Sequence, residues 1–171
     1  MNTEQKKIAV GAVCGGLGMA VLVFVLYSVL PTVPHMDTII DRVIFTLRLN
    51  VLAMLPLFIM LVVVGNNRFL SDAIDPLRHA ENRAIEINGR VAGNTLEQNF
   101  LFLISTLVLS TYLSKDTITL IPALVIVFIL ARMLFWIGYR INSFYRAPGM
   151  AATAYMNVAI IFADLYLFFI S

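Results

Sequence analysis

Six side chains in this sequence have the type and spacing to hold a small anionic ligand. Arg90, Asn94 and Glu97 stand at i, i+4 and i+7, so on a helix they share one face. Arg132 and Tyr139 line a comparable face with Phe135 between them, and Arg146 follows in a short connection. Guanidinium groups pair with carboxylates in a fixed fork, while an amide and a phenol set orientation. Two such stripes at one depth would build a basic, hydrogen-bonding pocket open toward the cytoplasm. The same residues also admit a purely structural account. Glu97 would then pair with Arg132, Arg90 and Arg146 would be surface anchors, and Thr95 with Gln98 would form a capping box.

Arg48 and Asp164 are a second pair of ionisable groups inside apolar runs. A charge in hydrocarbon costs at least about 2.5–3.5 kcal/mol, so each needs a partner or a role. Both fall roughly 8–9 Å inside the same membrane boundary at 1.5 Å rise per residue. That matched depth predicts a buried Arg48–Asp164 clamp supported by Asn50 or Asn157, with a transport or proton-relay role as the sharper alternative.

The elements that would position these groups are membrane helices. Hydrophobic residues make up 60% of the 171 residues and charged ones only 13%, too few to solvate a soluble domain of this size. Five apolar runs, roughly Ile8–Leu30, Val43–Gly65, Leu96–Leu113, Ile118–Tyr139 and Met150–Ile170, can each cross about 30 Å of hydrocarbon. The first is too long for a signal-peptide core and reads as a retained helix, with one GxxxG step at Gly11 and Gly15. Asp75 as a cap, Pro76 in the first turn and Leu77, Ala80, Ala84 and Ile87 at helical spacing predict an amphipathic helix over 75–88. Pro148–Gly149 is expected to start the last span.

Eight Lys and Arg side chains lie at the ends holding residues 6–7, 68–90 and 140–146, against Arg42 and Lys115 at the other. This bias predicts a cytoplasmic N-terminus and an outside or lumenal C-terminus. The single Cys14 excludes an intrachain disulfide and reads as a small packing residue. The net charge of +2 comes with no basic stripe for nucleic acid, and no metal-ligand cluster is apparent.

The stretch from Arg90 through Asn94 and Glu97 to Phe100 resembles the RxxxNxxE segment of MAPEG proteins, the membrane-associated proteins of eicosanoid and glutathione metabolism. Arg132, Gly138-Tyr139, Arg146 and Pro148-Gly149 resemble a second pattern of that superfamily, and the likeness covers Val43 to Ser171. The resemblance implies an all-α integral membrane bundle: a four-helix domain over 43–171, preceded over 1–42 by an extra transmembrane helix and its loop. It also implies a homotrimer with glutathione as co-substrate between neighbouring subunits near the cytoplasmic face, and a lipophilic electrophile arriving from the membrane lipids. By position, Arg90, Asn94, Glu97 and Tyr139 match glutathione-binding residues and Arg132 a recurrent arginine. Arg146 matches the arginine that assists the thiolate in some catalytic members.

Two departures thin the site. Phe135 stands where a catalytic member carries a tyrosine hydroxyl, and Ala92 and Gly93 replace polar or basic side chains. The expected function is therefore a glutathione-dependent transferase or peroxidase, with a non-catalytic membrane adaptor or regulator as the alternative.

Overall fold

The computed structural model describes residues 2–75, 77 and 80–171. Among these residues six α-helices follow in order: α1 (Thr3–Val29), α2 (Ile39–Ala53), α3 (Leu55–Phe69), α4 (Arg83–Tyr112), α5 (Leu120–Ile141) and α6 (Ala147–Ile170). The chain is all-helical across the described residues, apart from loops and a short 3-10 turn at Asp72–Ile74.

Local chemistry sets the helix starts. Asn2 and Gln5 exchange backbone and side-chain hydrogen bonds at the start of α1. Thr38 and Asp41 do the same for α2, so that helix begins four residues before the expected span. The run expected as one span over 43–65 is two helices meeting at Met54. Pro56 has no N–H to give the Leu52 carbonyl, and the helical ladder is interrupted there.

The helix expected over 75–88 is not formed as such. The Asp75 carboxylate does accept from the Leu77 N–H at 3.0 Å. Residues 80–82 are not helical, and Pro76, Arg78 and His79 lie outside the described residues. Asn82 is the effective cap, its side chain accepting from Ala84 and Ile85 N–H, and α4 then runs without a break into the third span. The buried face is also different from the expected one: Leu77, Ala80 and Ala84 are exposed, while Ile85, Asn88, Ala92, Thr95, Asn99 and Phe102 turn inward at alternating steps of three and four.

Among the described residues four stretches are long and apolar enough to cross a membrane: α1, α2 with α3, α5 and α6. The chain is thus an integral, multi-pass membrane protein. α4 falls short on apolarity because it carries the amides and hydroxyls of its inward face. At 30 residues it is about 45 Å long and packs against α2, α3, α5 and α6, so it crosses in their company. Phe102 of α4 stacks on Phe128 of α5 with ring centres 4.3 Å apart.

α1 lies outside this four-helix core, against α6 and α5, and buries none of its residues fully. Its Gly11 and Gly15 face Ala147 and Pro148, so the GxxxG step is used as a contact surface within the chain. Cys14, expected as a packing residue, is exposed at the edge of that contact. Lys7 stands 6.0 Å from the ring centre of Phe144 in the α5–α6 connection, so the N-terminus shares an end with that connection. Lys115 reaches Asp37 at 3.5 Å and ties the two connections at the opposite end.

A methyl group on Gly15 would fall on the backbone of Pro148, whereas Gly18 faces open space. We expect Gly15→Ala to lower unfolding stability in detergent by about 1–3 kcal/mol. Gly18→Ala should raise it by up to about 1 kcal/mol through helix propensity. Thermal unfolding of the two variants beside wild type checks the opposite signs.

Candidate functional site

The side chains singled out in the sequence separate into three groups. The first surrounds Arg132, which is fully buried. Its Nη1 donates to Asn94 Oδ1 at 2.9 Å, and its Nη2 donates to the Gly149 carbonyl at 3.3 Å and to Thr153 Oγ1. The guanidinium also lies 4.6 Å from the centre of the Phe135 ring. Gly149 makes this possible, because a Cβ there would collide with the backbone of Ala131 and Phe135. Its absence lets α6 close onto α5 and bring the carbonyl and hydroxyl to the cation.

The expected Glu97–Arg132 pair is therefore not formed. Arg132 spends its donors on an amide, a carbonyl and a hydroxyl, leaving only Nε without a partner. Asn94, expected to orient a ligand, is committed to Arg132.

The second group gathers at the basic end. Arg90 is paired with Glu86 one turn earlier at 2.7 Å and lies against the Tyr139 hydroxyl. Arg146 stacks over the other part of the same side chain, 4.7 Å from the ring centre. Gly138 allows this, since a Cβ there would meet the backbone of Tyr145 and Arg146. The connection after α5 thus folds back and carries Arg146 over the tyrosine. Arg83, Glu86, Ile87, Arg90, Tyr139 and Ser143 line a cavity of 170 Å³ beside it. A larger hollow of 430 Å³ adjoins along Arg83 and Arg140. Among the described residues Glu86 is the one acid in these two linings, against Arg83, Arg90 and Arg140.

The third group is made of residues that stand apart. Glu97 is exposed on α4, with no hydrogen bond or ion pair among the described residues, and is not part of the cavity at Tyr139. The single pocket containing both Glu97 and Tyr139 is not assembled within one chain. Arg48 and Asp164 do not form the expected clamp either, because α2 and α6 do not touch. Arg48 is exposed, and Asp164 is buried beside α4. Their expected helpers are engaged elsewhere: Asn50 donates to Thr106 Oγ1 at 3.1 Å, and Asn157 to Gln98 Oε1 at 3.0 Å.

Several polar residues of structural weight were not anticipated. Trp136 Nε1 donates to Asn88 Oδ1 at 2.9 Å. Asn99 Nδ2 returns to the Thr95 carbonyl, and Thr106 Oγ1 to the Phe102 carbonyl. Gln98 and Thr95 sit mid-helix and do not cap it, since α4 begins twelve residues before Thr95. The signal that could have found this set is the period of the polar residues on α4, which matches the apolar ones between them.

With this geometry in view, the MAPEG family's sequence profile matches residues 46–166. The chain belongs to the MAPEG family. Among curated relatives it is 29% identical over 150 residues to transmembrane protein 79 of Mus musculus, and 27% identical over 150 residues to that of Bos taurus. In each case the alignment takes in 87% of this chain and 38% of the relative, so the chain spans well under half the length of the curated proteins it matches. No solved structure gives a significant match. The profile begins within α2, which leaves α1 as the element preceding the family's four-helix bundle.

Leaving the Arg132 guanidinium without one of its partners is expected to be costly in this apolar setting. Asn94→Leu and Thr153→Val should each lower unfolding stability by about 1–3 kcal/mol. Glu97→Gln, which breaks no contact within the chain, should stay within about 0.5 kcal/mol of wild type. Unfolding of the detergent-solubilised variants checks the contrast.

Proposed function

We propose that this protein binds glutathione at the cytoplasmic, basic end of the bundle, in a site completed by a neighbouring chain of a homotrimer. The observation that carries the reading is Arg146 held over the Tyr139 ring while Arg90 meets the hydroxyl of the same residue. Two cations on one phenol, with Arg83 and Arg140 in the linings beside it and Glu86 the one acid among the described lining residues, make a local surplus of positive charge suited to carboxylates and a thiolate. Glu97, uncovered and unpaired, is the group we assign to the ligand's ammonium from the side where another chain would pack. A cavity of 170 Å³ is smaller than the roughly 300 Å³ at which ligand pockets begin, in keeping with a site that one chain does not close. The concentration of Lys and Arg at this end supports placing the N-terminus in the cytoplasm and Ser171 outside or in a lumen.

In the catalytic form of this reading, Arg146 favours ionisation of the glutathione thiol. The thiolate sulfur then bonds to an electrophilic carbon of a lipophilic molecule entering from the lipid, and that molecule's leaving group departs. A peroxide oxygen would be the electrophile in the peroxidase form. One observation favours the non-catalytic alternative: Asn94 is spent on Arg132, and Phe135 offers its face to the same cation, so two positions that would serve a ligand serve the fold. In that case the bundle acts as a membrane adaptor or regulator toward lipid or protein partners.

Glutathione added to purified protein in detergent should raise the thermal midpoint, and Arg90→Ala should weaken that effect. If the site is catalytic, conjugation of a generic aryl halide should fall about 10²-fold in Arg146→Ala. Wild-type protein that shows neither stabilisation nor turnover would remove the glutathione reading and leave the adaptor in its place.

A further inference from the structure

Besides Glu97, two charges in the membrane-crossing part of the chain, Arg48 and Asp164, have no hydrogen-bond or ion-pair partner among the described residues. Arg48 is exposed on α2, with no hydrogen bond or ion pair among the described residues. It sits in a ridge of uncovered apolar side chains, with Ile44, Leu47, Val51 and Leu52 around it at helical spacing. Asp164 is 8% exposed, and its Oδ1 is buried with no hydrogen-bond partner. It opens into a groove of 430 Å³ between α4 and α6, whose lining is otherwise almost wholly apolar.

The depths of the two charges can be compared along α4, which both helices touch. Asp164 shares its groove with Ile104, Ser105 and Val108 of α4. Asn50, two residues beyond Arg48 on α2, is bonded to Thr106 of the same helix. The two charges therefore lie within about 3 Å of one level, given 1.5 Å rise per residue. Yet α2 and α6 make no contact, with α4 and α5 between them. Neither residue can meet the other inside one chain.

We infer that Arg48 of one copy enters the α4–α6 groove of a second copy and pairs there with Asp164. The occupant of the groove is the α2 face of another chain, chosen by charge: the groove offers one buried carboxylate without a donor, and the α2 ridge offers one guanidinium without an acceptor. The flanking Ile44, Leu47 and Val51 match the apolar lining. Hydrocarbon would solvate neither charge, so pairing relieves both at once. The surfaces that meet are different, and each copy gives Arg48 on one side and receives it on the other. Such a head-to-tail contact leaves no charge unpaired only when the copies close into a ring. This contact shares with the proposed function only the presence of a neighbouring copy, and its test needs no ligand.

The test uses the full chain with Cys14→Ser, in detergent or nanodiscs. One tagged population carries Arg48→Cys and a differently tagged one carries Asp164→Cys. A short bismaleimide should give a covalent two-chain species bearing both tags when they are co-expressed, and little when either is expressed alone. No such species, or equal yield from Arg48→Cys alone, would overturn the contact and leave lipid as the occupant of the groove. A second measurement guards against misfolding of the cysteine variants. Arg48→Asp and Asp164→Arg should each shift the particle mass toward the monomer by light scattering, and the double exchange should restore the wild-type mass. Unchanged mass in both single exchanges, or a monomeric wild type, would equally overturn it.

Discussion

The bundle depends on satisfying the polar side of α4 where no water is available to do so. Asn88, Asn94, Gln98 and Thr106 each meet a group on a different part of the surrounding helices: Trp136 and Arg132 on α5, Asn157 on α6, Asn50 on α2. In an apolar medium an amide or hydroxyl left without a partner costs several kcal/mol. Apolar packing between membrane helices discriminates poorly among axial positions, because lipid tails are as apolar as leucine. The polar rungs do discriminate. A slip of one residue along the axis moves a donor about 1.5 Å and opens all of them together.

That registry reaches the basic end. Asn88 and Asn94 fix α5 relative to α4 at two heights, and Tyr139 lies less than a turn beyond Trp136. The phenol is placed by buried contacts and not by the exposed loop. Gly138 then permits the reversal that lays Arg146 over it. Arg132, matched in sequence to a recurrent family arginine, is fully buried and serves the frame. Its cation is diluted over an amide, a carbonyl, a hydroxyl and an aromatic face, with no acid involved.

The helices themselves were legible in the sequence, because a run of apolar residues long enough to cross a bilayer has few other uses. The start of α4 was misplaced because both Asp75 and Asn82 carry capping chemistry, and only the latter leads into a face that finds partners. The inward stripe of α4 was missed for a related reason. Its polar residues fall on the same period as the apolar ones, and the ionisable Arg90 and Glu97 lie on the exposed flank of the helix. For Arg48 and Asp164 the rise per residue did give matching depth. Depth is one coordinate, and adjacency needs the lateral arrangement, which sets α2 and α6 on opposite sides of the α4–α5 pair. The pairing of Arg132 with the Gly149 carbonyl and Thr153 likewise required knowing that α6 approaches α5 closely at Gly149.

The interruption at Pro56 has a mechanical consequence. Along α4 the two faces of the membrane are joined by an unbroken rod, whereas along α2 and α3 they are joined through Met54, where Pro56 takes one N–H out of the helical ladder. Bending is cheapest there. The half bearing Arg48 is tied to α4 through Asn50 and Thr106, and the half bearing Arg68 packs on α4 separately, so each half takes its direction from its own neighbours and not from the other.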